Sequence, residues 1–130
     1  MIYQKNSHCK MKLDDNKKKI LTEFVKFVRD ELEIEKMPTI ALQNGKKNIR
    51  TTANYDYTKE NKIIKINIKD RALVDIMRSI SHEMTHHKQY EQGRLKVKPP
   101  DIGGEIEDEA NAKAGQFIKM FGKKNESIYE

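Results

Sequence analysis

The stretch LVDIMRSISHEMTHHKQY, residues 73–90, decides how the chain is read. Leu73, Ile76, Met77, Ile80 and Met84 recur at three- and four-residue steps, which is the apolar stripe of an amphipathic helix. The helical period starts near Asp70, and Gly93 lies just past its end, where a helix commonly closes. At ~100° per residue, His82 and His86 fall on the side opposite the stripe. Such a helix docks its stripe on a core and turns two histidines toward whatever lies across from them.

Upstream, a second helical pattern runs from Asp14, with Asp14 or Asp15 placed to cap it. Ile20, Leu21, Phe24, Val25, Phe27, Val28 and Leu32 form its apolar face, and Met37-Pro38 is expected to end it. Three short β-type runs follow. Thr39 to Gln43 is closed by the turn dipeptide Asn44-Gly45; Ile49 to Tyr57 is the second. In the third, Ile64, Ile66 and Ile68 alternate with Lys65 and Asn67, and the polar stretch Thr58 to Asn61 before it reads as a hairpin loop. This alternation describes a small sheet with one wet face.

Downstream, Pro99-Pro100 and Gly103-Gly104 mark residues 92–104 as a loop. A last helix runs from about Glu105 to Phe121, with Ile106, Ala110, Ala114, Phe117 and Phe121 on one side. The tail after Gly122 is polar, and residues 1–12 read as a frayed or extended lead-in. There is no internal repeat and no linker, so the 130 residues form one domain with a core over about 14–121.

Composition narrows the classes. Leu, Ile, Val and Phe supply 29 residues, just above the level at which chains stay disordered, so a modest core is possible and a large enzyme scaffold is not. The formal charge of +6 invites a nucleic-acid reading, but 21 of the 26 basic residues are Lys. Lys, Ile and Asn have AT-rich codons, and base composition alone accounts for much of that excess. The single Cys9 excludes an intrachain disulfide and a cysteine-cluster metal site. With no apolar run near ~18 residues and no apolar segment at the N-terminus, the expected compartment is the cytoplasm, with no membrane partner.

The chemistry lies in His82-Glu83-Met84-Thr85-His86. Two imidazoles one helical turn apart can hold one divalent ion, and the adjacent glutamate can activate a water bound to it. Zinc suits neutral nitrogen donors and lowers the pKa of its water toward ~7. The bland alternative is a solvated helix face.

A catalytic zinc takes three protein ligands. His87 falls on the apolar flank, and His8 sits in the lead-in. The acidic run Glu105, Glu107, Asp108, Glu109 is the better source. Glu107 lies about 60° from the centre of the last helix's inward stripe and Glu109 about 100° on the other side. Glu107 is therefore the first candidate and Glu109 the second. Asn111, four residues after Glu107, can hydrogen-bond a ligand histidine and fix its tautomer. Complementing the helix dipole is the plainer role for Glu105 and Asp108.

With these residues in view, the sequence resembles the gluzincin metallopeptidases. The resemblance is carried by His82-Glu83-Met84-Thr85-His86 and Glu107-Asp108-Glu109-Ala110-Asn111, preceded by Gly103. The Glu-x-x-Ala-Asn form is similar to minimal bacterial and phage metallopeptidases, and the likeness covers about residues 39–121. The elements read above, N-terminal helix, small three-stranded sheet with hairpin, active-site helix and C-terminal ligand helix, then make an α+β fold that resembles a minimal zincin. The resemblance implies one Zn2+ per chain on His82, His86 and Glu107, with Glu83 as general base and later proton donor. It also implies a protein or peptide substrate lying along a sheet edge, here the Thr51–Tyr57 strand or its hairpin partner.

The pattern departs from larger gluzincins in one respect. No His follows Glu107, and the only later Tyr is Tyr129, so the oxyanion donor must come from elsewhere. Tyr55, Tyr57, His87 and Tyr90 are the other candidates. Two further readings compete with hydrolysis of peptides. One is a DNA-associated peptidase of the SprT-like kind, motivated by the net charge and Lys17-Lys18-Lys19; the other is a catalytically idle zinc-binding protein.

Overall fold

The computed structural model describes residues 2–4, 14–44, 53–58, 60–95 and 104–129. The elements run β1 (Ile2–Gln4), α1 (Asp15–Leu32), β2 (Thr39–Gln43), β3 (Ala53–Asp56), β4 (Ile63–Asn67), α2 (Leu73–Glu91) and α3 (Glu105–Gly122), with a 3-10 turn at Glu126–Tyr129. The class is α+β, with a helix, then the sheet, then two helices, as the sequence implies.

α1 begins where Asp14 accepts the Lys17 amide at 2.7 Å, a side-chain N-cap. It does not continue to Met37-Pro38. Glu33 takes the left-handed conformation (φ 55°), and the Ile34 amide folds back onto the Arg29 carbonyl at 3.1 Å. This closure drops Ile34 into the core and stops the helix five residues early. Ile34 is thereby buried in a turn and not in a continuing helix.

The strands form one sheet in the order β1-β2-β4-β3. β2 and β4 pair in parallel, Ile40 opposite Ile64 and Leu42 opposite Ile66, and β3 returns antiparallel to β4 as the expected hairpin. Asp56 accepts the Thr58 amide and hydroxyl at the start of the hairpin turn. The three expected strands are joined by a fourth: Ile2–Gln4, read from sequence as a lead-in, pairs in parallel with β2. The first part of the expected Ile49–Tyr57 strand and the Asn44-Gly45 turn fall partly outside the described residues.

Ile40, Leu42, Ile64 and Ile66 on one sheet face pack with Ile76, Met77, Ile80 and Met84 of α2, all at most 2% exposed. Each such side chain contributes about 1.5–3 kcal/mol by leaving water. Phe24 and Phe27 of α1 meet Phe117 and Phe121 of α3 edge-on or tilted, with ring centroids 5.2–6.2 Å apart. The C-terminal tail is not simply polar. Ile128 is 1% exposed in the same core, and the Tyr129 ring lies on Gly122, where a Cβ would come within 2.7 Å of its hydroxyl.

The turn after α1 is fastened to the end of α2. The Glu91 carboxylate accepts the amides of Glu35 and Lys36 at 3.1 and 2.9 Å, and Lys88 Nζ donates to the Glu33 carbonyl. Helix α2 is thus enclosed, with the sheet, α1 and α3 all packed against it. Among the described residues no helix is long and apolar enough to cross a membrane.

Candidate metal centre

His82 and His86 lie one turn apart on α2, opposite its apolar stripe. Their rings stand 4.7 Å apart and nearly perpendicular, with the two Nε2 atoms at 3.1 Å. Across from them is the first turn of α3. Gly104 precedes that turn at φ 95°, a conformation that favours glycine, and its carbonyl accepts the Asp108 amide. The turn delivers Glu107 to the histidines: one carboxylate oxygen is 2.8 Å from His86 Nε2 and the other 3.3 Å from His82 Nε2. One ligand atom from each of the three residues lies within 4.8 Å of the others, so the cluster could hold a metal ion. The set of two nitrogens and a carboxylate suits a divalent cation of borderline softness.

Burial acts on each group. Desolvation, then the neighbouring His86, hold the His82 pKa below its ordinary value, which keeps the ring a neutral donor. Asn111 of α3 lines a second cavity beside the cluster, together with His82 and Glu83. Glu83 is 8% exposed, and burial together with the Glu107 charge pushes its carboxyl up to about 8. It borders the same cavity of about 280 Å³ as His82, His86 and Glu107.

Glu109, the second candidate for the third position, is engaged elsewhere. Arg94 grips it with two bonds of 2.8 and 3.1 Å, and that pairing holds its carboxyl below the usual range. Gln89 also donates to it. Gln89 is a residue the sequence reading missed: it is fully buried and its oxygen lies 2.8 Å from His86 Nδ1. Its position three residues after His86 was the available signal, since i and i+3 share a helix face.

His87 turns away from the cluster, as its place on the helix flank suggested. Its Nε2 lies 2.6 Å from the Lys36 carbonyl and its Nδ1 2.6 Å from the Tyr55 hydroxyl. A carbonyl only accepts, so Nε2 carries the hydrogen; Nδ1 of the neutral ring then accepts and Tyr55 donates. Burial keeps the Tyr55 pKa above its ordinary value and the His87 pKa below, so both stay neutral. Of the oxyanion-donor candidates, Tyr55 and Tyr57 border the cluster's cavity, with Ala53 and Asn54 of the edge strand β3. His87 and Tyr90 line a separate cavity with Lys36 and Glu91. Tyr129 sits at the far end of α3, about 22 Å along the helix from Glu107. His8 lies outside the described residues.

No family model, curated protein or solved structure matches the chain.

Proposed function

We propose that the chain is a small zinc-dependent metallopeptidase that hydrolyses peptide bonds of a protein or peptide. The observation that carries this reading is the convergence of His82, His86 and Glu107 with Glu83 beside them in one cavity. A bound zinc would supply Lewis-acid polarisation and an acidified water. His82, His86 and Glu107 would hold it. Glu83, buried against the same cavity, would take the proton from the attacking water and return it to the leaving amine. β3, at the edge of the sheet and along the cavity wall, would pair with an extended peptide backbone.

The test is zinc content together with hydrolysis of a generic unfolded protein. The expected result is about one zinc per chain, and hydrolysis that chelator abolishes. A chain with no bound zinc, in which His82→Ala changes nothing, overturns the reading. A zinc-loaded chain without hydrolysis makes it the idle zinc-binding protein.

A further inference from the structure

Both hydrogens of the buried Gln89 amide point at groups that can only accept. Its Nε2 donates to the Ile106 carbonyl and to Glu109 Oε1, each at 3.0 Å. An amide held this way turns its oxygen in the other direction, and that oxygen lies 2.8 Å from His86 Nδ1. An amide oxygen accepts and cannot donate, so Nδ1 carries the hydrogen. In a neutral imidazole the lone pair is then on Nε2, the atom that faces His82 and Glu107. The outer end of the chain is anchored too. The Arg94 guanidinium takes both oxygens of Glu109, and its Nη1 reaches Gln92 Oε1 at 3.1 Å.

We propose that Gln89 is a positioning residue that locks His86 in the Nδ1–H tautomer, oriented by the Ile106 carbonyl and by a Glu109 that Arg94 holds in place. The inference rests on the metal-centre reading for its purpose, since the tautomer it fixes is the one that presents Nε2 to a cation. It also gives Glu109 a role distinct from that of a ligand. The carboxylate is an acceptor that keeps the amide from turning over. A reversed amide would set its oxygen against a carbonyl and a carboxylate, losing both of its donor bonds at once.

Long-range nitrogen–proton NMR correlations on the metal-free protein report which ring nitrogen of His86 carries the hydrogen. The expected result is Nδ1–H in the natural chain and a change of tautomer in Gln89→Leu, a readout that a merely structural role would not move. Zinc affinity, measured by competition with a chromophoric chelator, should fall about 10–100-fold in Gln89→Leu. Glu109→Ala, at the half-exposed end of the chain of contacts, should weaken it several-fold and keeps the test open where Gln89→Leu does not fold. His86 found as Nε2–H in the natural chain overturns the proposal, as do variants that bind zinc within twofold of it. If the natural chain binds no zinc, the metal-centre reading fails, and the NMR tautomer alone then decides whether Gln89 positions His86.

Discussion

Glu107 Oε1 stands 2.8 Å from His86 Nε2, bridging two helices that meet side by side. The contact joins two electron-rich atoms once His86 holds its hydrogen on the other nitrogen, and a cation resolves that arrangement. Removing Glu107 should therefore act on metal before it acts on fold. Glu107→Ala is expected to weaken zinc binding by at least ~100-fold, well beyond the several-fold loss in Glu109→Ala. Equilibrium dialysis followed by metal analysis compares the two directly; equal losses would mean that Glu109 shares the ligand role.

Glu83 touches the reacting atoms in the proposed chemistry and contributes no ligand. Glu83→Gln should keep zinc binding within about twofold and lower hydrolysis by about 10²–10⁴-fold. Paired metal and turnover measurements on one preparation check it.

The same residue makes the metal-free fold lose stability as pH rises toward 8. Its folded pKa, about 8, lies above its unfolded value, so its contribution is complete at acid pH and is lost as pH rises through 8. Urea titrations in chelator should show stability falling by about 1 kcal/mol per pH unit between ~6.5 and ~8. Glu83→Gln should flatten that slope.

His87 has the opposite sign. Its folded pKa is depressed by burial, so the stability it contributes is complete above its unfolded value and is lost as pH falls below ~6.5. The stability gap between the natural chain and His87→Leu should narrow from pH 7.5 to 5.5, read from the same urea titrations. A gap that widens on acidification would contradict the neutral, hydrogen-bonded ring.

Tyr55→Phe removes one hydroxyl and leaves His87 Nδ1 buried without its donor. The expected cost is about 1–3 kcal/mol, seen as a lowered Tm in the metal-free protein.

Much of the fold was legible because it rests on periodicity. The apolar stripes of α1, α2 and α3 and the Ile64–Ile66–Ile68 alternation are local patterns, and they place the elements directly. The angular argument on α3 set Glu107 nearer the inward side than Glu109, and Glu107 is the one that reaches the histidines. What periodicity does not carry is closure. The left-handed Glu33 ends α1 although apolar residues continue past it, and the three-residue β1 is too short to show a period. Gln89 was missed for a related reason. A polar residue on a helix is ordinarily read as facing water, whereas α2 is enclosed, and Ser81, Thr85 and Gln89 are buried with the apolar stripe.

The fastening of the Glu33–Lys36 turn to α2 has a kinetic consequence. The Glu35 and Lys36 amides belong to no helix or strand, yet each is held by a carboxylate of the helix that carries His82 and His86. Their hydrogens should exchange with deuterated solvent at rates set by the opening of α2's last turns, not at the rates of an open loop. Two backbone positions remote in sequence from the histidines thus become reporters of how often the scaffold beneath them comes apart.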